Sequence, residues 1–150
     1  MKRVVEIVKI QQVVKECKIF QERVYGSSQI GNELEKEIGN DTQEKFVLLC
    51  LNTTNKIVSY SIVNTGTLDR ATVDVRGIFQ RAILSNAKSI MIAHNHPSSD
   101  LTKKPSPSNQ DIQITERIKK SADLLGFILL DHIIVSSNSY LSFREENIVF

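Results

Sequence analysis

Residues 89–135 read SIMIAHNHPSSDLTKKPSPSNQDIQITERIKKSADLLGFILLDHIIV, and the order of patterns within them decides the fold. SIMIA, residues 89–93, is a short continuous apolar run of the kind that forms a buried strand. The loop after it holds all three prolines of the chain and almost no apolar residue, which marks an exposed connection. From about 110 to 125 the residues Ile114, Ile118, Ala122 and Leu125 fall on one helical face, and Gly126 stands where helices stop. FILLDHIIV then gives another strand, which YLSFREENIVF, beyond the polar 136–139, closes as a hairpin.

Working back toward the N-terminus, Ile78, Phe79, Ala82, Ile83 and Ala87 recur at helical spacing between residues 74 and 88. FVLLCLNTTNKIVSYSIVNTG, residues 46–66, has two β-rich runs around Asn52-Thr53-Thr54-Asn55 and reads as a hairpin. Ser28 followed by IGNELEKEIGN predicts a capped short helix ending near Gly39, with Ile30, Leu34 and Ile38 as its stripe. Residues 3–14 alternate enough to predict a first strand, with a short helix as the other reading. The expectation is an α/β chain of the α+β type. A mixed central sheet is flanked by two to three helices, with residues 1–40 a strand and short helix packed on a main domain at 41–150.

The 150 residues are enough for a core without disulfide or metal staples, and 41% hydrophobic with 24% charged residues is ordinary for a soluble globular protein. No apolar run approaches the roughly eighteen residues of a membrane span, and the opening MKRVVEIVKIQQ reads as neither anchor nor export signal. Cys17 and Cys50 form no metal-type pair, so a cytoplasmic location with reduced thiols is expected. A net charge of +2 is mild for a nucleic-acid binder, and small clusters such as Lys103-Lys104 and Lys119-Lys120 read as solvated surface.

His94 and His96 lie two apart where a strand runs out, and period-2 geometry sends both imidazoles to one side. Imidazole suits zinc, and a catalytic zinc site takes three protein ligands and leaves a position for water. Asp111, in the first turn of the helix after the proline-rich loop, is the candidate third ligand. Attack by water also needs an unligated carboxylate as general base and acid, for which Glu44 stands ready ahead of FVLLCL. Ser108 could donate to a developing oxyanion, although Ser-x-x-Asp ahead of an amphipathic run is also a helix cap, and spacing alone favours the cap. The His pair has a plain reading as well, that of surface hydrogen-bonding groups. His132, within an apolar strand, reads as a satisfied core or near-surface histidine, with Asp131 as a local polar neighbour or as a group that supports the metal ligands from behind.

HNHPS, PSNQD leading into IQIT, LLDHIIV and YLSF together resemble the RadC family, bacterial members of the JAB/MPN/JAMM superfamily. EKFVLLCLNTTNKI, TGTLDRATVDVRGIFQRAI and NAKSIMIAHNHP follow the same family in order, so the likeness covers about residues 40–147. It implies a JAB/MPN-like fold, one Zn2+ per chain on His94, His96 and Asp111, Glu44 as general acid/base and Ser108 as a polar helper. It further implies a metallohydrolase of amide or isopeptide bonds, acting on a protein or peptide. The alternative it implies is a DNA-repair or replication accessory module whose zinc is structural or vestigial, with nucleic acid as its partner. Two departures stand out. Ser99 replaces the family's glycine with four extra residues within 101–106, and Val75-Arg76-Gly77 replaces Pro-Arg-Glu. An HNH nuclease is excluded because that motif spreads its residues over tens of positions, and a zinc deaminase because H-x-E and P-C-x-x-C are missing.

Overall fold

A computed structural model describes residues 3–7, 9, 11, 13, 15, 16, 23–66, 73–97 and 104–150. Within them the chain runs α1 (Ser27–Ile38), β1 (Lys45–Leu51), β2 (Ile57–Thr65), α2 (Val75–Leu84), β3 (Ser89–Asn95), α3 (Asn109–Leu125), β4 (Ile128–Val135) and β5 (Tyr140–Ser142). The strands form one mixed sheet in the order β2-β1-β3-β4-β5. The β3–β4 pair is parallel because α3 carries the chain back across the sheet between them, and the other pairs are antiparallel.

Strand alternation divides the core into two faces. Phe46, Leu48 and Cys50 of β1 join Ile90 and Ile92 of β3 under α2 and α3, which contribute Ile78, Ala82, Ile114 and Ile118. Val47, Leu49 and Leu51 face the other way with Met91, Ala93 and Ile133, and are covered by Ile30, Leu34 and Ile38 of α1. This explains why β1 and β3 read as continuous apolar runs: helices cover the sheet on both sides, so neither face of these strands meets water.

The hairpin, the helices beginning at Val75 and Asn109, and the strands around His94 and His132 stand where the sequence predicts them. Asn52 shapes the hairpin turn, its Oδ1 accepting from the backbone of Thr54 and Lys56 at 3.0 Å each. Asn55 takes the left-handed conformation there (φ 59°).

Three local expectations are corrected. Helix α1 starts one residue before Ser28, and its N-cap, Gly26, makes no side-chain capping bond. Ser28, the expected cap, lies inside the helix, and Ser27 before it donates to Asp131 at 2.8 Å. Asp131 is buried and has a stronger demand for donors, which it also draws from Ser142 Oγ and the N–H groups of His132 and Arg144. The predicted first strand falls partly on residues outside those described, and the described positions within 3–14 are not in a strand, with Val4 and Val13 exposed. The closing strand stops at Ser142, because the chain turns at Arg144-Glu145-Glu146-Asn147 and brings Ile148 N–H back to the Phe143 carbonyl. Phe143, Ile148, Val149 and Phe150 then pack beside Ile134 and Ile112.

Candidate metal centre

The site lies at the end of β3, where it meets the start of α3. His94 is the penultimate residue of β3 and is buried, while His96 follows the strand and is partly open. Asp111 reaches them because α3 begins beside the strand end. Ser108 is its N-cap and forms a capping box with Asp111: the Ser108 hydroxyl accepts from Asp111 N–H at 3.1 Å, and the Asp111 carboxylate accepts from Ser108 N–H at 2.8 Å. The cap uses a lone pair of the hydroxyl and leaves its proton available, so capping and a catalytic role are compatible in one group.

His94 Nε2 and His96 Nε2 are 2.8 Å apart, and each lies 3.2 Å from an oxygen of Asp111. A tetrahedral zinc with bonds near 2.0–2.1 Å separates its ligand atoms by about 3.3 Å. These spacings therefore fit one ion after the imidazoles part by a few tenths of an ångström. Two nitrogen donors and one carboxylate oxygen make a set suited to zinc, and this is the one cluster of metal-ligating side chains found among the described residues.

Burial shapes the electrostatics. Burial holds His94 below the usual imidazole range, with the Asp111 carboxylate opposing the shift. Burial likewise holds His132 well below that range. For Asp111, burial pushes the carboxyl up, but the His94 and His96 rings and the Ser108 N–H outweigh it and hold the group far below the ordinary carboxylate range. The buried His94 can thus offer a neutral nitrogen, which metal binding requires.

Glu44 lies one residue ahead of β1, and its carbonyl accepts from Gly66 N–H at 2.8 Å, continuing the ladder toward the site. Phe46, two residues on, is the register partner of His94 and stacks on its ring at 5.9 Å. Period-2 geometry puts Glu44 on that same face, and its charge favours the protonated form of His94.

Three further residues contribute: Asn95 and Thr115 escape sequence reasoning, and His132 is placed by it without its contact to His94. Asn95 is fully buried: its Oδ1 accepts from Lys45 N–H at 2.7 Å, and its Nδ2 donates to the carbonyls of Gln43 at 3.0 Å and Asp41 at 3.3 Å. Those bonds grip the backbone on either side of Glu44. His132, taken from the sequence as a core histidine with Asp131 beside it, is buried and satisfied. Asp131 accepts from its backbone N–H, while its ring meets His94 and Thr115. Thr115 is the third. Its signal in the sequence is position, since it stands four residues after Asp111 on the same helix face.

The departure at Val75-Arg76-Gly77 has a local account. Asp74 caps α2 by accepting from Gly77 N–H at 2.8 Å, and a side chain at Gly77 would collide with that carboxylate. Of the extra loop residues, 104–106 are described. Pro105 is buried, and Lys104 makes an exposed ion pair with Glu146 at 2.7 Å.

A helix-covered mixed sheet with two histidines at a central strand end and an aspartate on the next helix defines a JAB-type domain with a potential metal site. The family model for the RadC-like JAB domain matches residues 24–148, and the chain belongs to that family. A UPF0758 protein of Streptococcus suis is 41% identical over 129 residues, covering 86% of this chain and 51% of the relative. One from Chlorobaculum parvum is 34% identical over 147 residues, 98% of this chain and 64% of the relative. One from Finegoldia magna is 46% identical over 109 residues, 73% and 47% respectively. The chain spans about half the length of most of these curated relatives. Among the described residues, no helix is long and apolar enough to cross a membrane.

Proposed function

We propose that this chain is a zinc-dependent hydrolase of amide or isopeptide bonds, acting on a protein or peptide. The observation that carries the reading is the convergence of His94 Nε2, His96 Nε2 and the Asp111 carboxylate within 3.2 Å of one another. Zinc held there would acidify a water molecule and polarise the carbonyl under attack. Glu44 takes the proton from the attacking water and passes it to the departing amine, a role suited to a carboxylate outside the ligand set whose charge is felt at His94. Ser108 donates its free hydroxyl proton to the oxyanion that forms at the carbonyl. Asn95 positions Glu44 by holding the backbone around it.

The test is hydrolysis of two fluorogenic probes by the zinc-loaded chain, one a linear peptide and one joined through a lysine ε-amine. Glu44→Gln is expected to keep its zinc and lose about 100- to 10,000-fold in turnover. Full activity in Glu44→Gln would remove Glu44 from the mechanism, and cleavage of neither probe by a fully loaded sample would count against the hydrolase reading.

A further inference from the structure

His94, His132, Thr115 and Asp111 are joined by one run of hydrogen bonds. His94 Nδ1 lies 2.8 Å from His132 Nε2, His132 Nδ1 lies 2.5 Å from Thr115 Oγ1, and Thr115 Oγ1 donates to the main-chain carbonyl of Asp111 at 2.6 Å. The direction of the whole run is fixed from its far end. A carbonyl only accepts, so the single hydroxyl proton of Thr115 is committed to Asp111. Thr115 Oγ1 must then accept from His132, which places a proton on His132 Nδ1.

His132 is fully buried, which favours a neutral ring with one proton. Its Nε2 is therefore bare and accepts, and His94 Nδ1 must donate. A neutral His94 protonated at Nδ1 has its lone pair on Nε2, the nitrogen that faces His96 and Asp111. His94 Nε2 and Asp111 Oδ1 then face each other at 3.2 Å as two acceptors, an arrangement that a cation, whether a proton or a metal ion, relieves.

We infer that His132 is a positioning residue: through Thr115 it fixes His94 in the tautomer that can ligate a metal, and it ties that tautomer to the backbone of Asp111. The inference rests on the zinc reading above. Packing holds the relay in place, since the His132 ring stacks on Phe143 at 4.5 Å and meets the edge of Phe46 at 5.8 Å. The His94 ring could not turn over without breaking its buried bond to His132.

Two measurements test it. Long-range 1H–15N NMR of the metal-free full chain is expected to show Nδ1–H tautomers for both His94 and His132. An Nε2–H tautomer at His132 overturns the inference. Zinc affinity by chelator competition is expected to fall about 10- to 100-fold in His132→Leu. His132→Gln, whose amide oxygen can accept from His94, should recover most of that loss, and Thr115→Val should fall between the two. A folded His132→Leu with native affinity, or a Gln variant as weak as the Leu variant, overturns the inference. Should His132→Leu not fold, the Gln and Val variants and the tautomer spectrum decide. Wild-type protein that takes up no zinc sinks the hydrolase reading instead, and the tautomer spectrum still judges the direction of the relay.

Discussion

Asn95 stands between the two histidines, and its side chain turns to the opposite side of β3, where it holds the segment that carries Glu44. Asn95→Asp keeps the shape but loses both donors, and a buried carboxylate would then face the carbonyls of Asp41 and Gln43. A loss of about 1–3 kcal/mol in unfolding free energy is expected, measured by urea titration. Zinc affinity should be nearly unchanged while turnover falls, because the ligands stay and Glu44 shifts. Acid sensitivity belongs to this scale too. His94 and His132 have folded-state pKa values depressed by burial, so below about pH 6.5 the unfolded chain binds more protons than the folded one. Stability of the metal-free protein is therefore full above that pH and declines as pH falls. Asp111, depressed below the carboxylate range, adds a further loss below about pH 4. Calorimetry from pH 8 to pH 5 should show Tm falling, with a shallower slope in His132→Gln; a Tm that rises on acidification would contradict the assignment. The His-x-His pair and Asp111 were legible as a potential metal cluster, the pair from strand period and Asp111 from its place in the first turn of the helix after the loop. Asn95, Thr115 and His132 were not, because their roles depend on hydrogen bonds between elements far apart in sequence.

The elements that were legible, β1, β2, α2, β3, α3 and β4, have either a β-rich apolar run or a helical apolar period, and defined stops such as Gly126 in the left-handed conformation (φ 85°). Those misjudged were decided by tertiary demand. Ser28 lies inside α1 and not at its cap because Ser27 before it joins the helix and bonds Asp131, and residues after Ser142 turn because four polar residues interrupt the alternation. Helix α3 carries the capping test. Ser108→Ala removes the cap and is expected to cost about 1 kcal/mol of stability. A loss in turnover of about 100-fold or more, with zinc retained, separates a catalytic hydroxyl from a cap alone. Helix α1 supplies a packing test. A Cβ at Gly31 would meet the Tyr140 ring at 2.5 Å. Overpacking costs about 1–3 kcal/mol, against a helix-propensity gain of up to about 1 kcal/mol, so Gly31→Ala should destabilise on balance. Adding Tyr140→Ala relieves the clash, and the double variant should lose less than the two single losses combined. Strict additivity in chemical denaturation would refute that contact.

On the scale of the molecule, the candidate site lies where the end of β3 meets the start of α3: His94 is the strand's penultimate residue, His96 follows the strand, and Asp111 stands in the first turn of the helix. Ligand groups held by elements from separate parts of the chain couple metal binding to folding. Free zinc at about 100 times its dissociation constant should raise unfolding free energy by about 2.7 kcal/mol, seen as a Tm increase that a chelator reverses. The central claim is that His94, His96 and Asp111 hold one metal ion, and the most direct measurement is a zinc titration of the chelator-stripped chain beside His94→Ala. Uptake of about one equivalent by the wild type, with most of the affinity lost in His94→Ala, is the predicted result. Uptake below about a tenth of an equivalent by well-folded wild-type protein, or equal binding by the two, would contradict it.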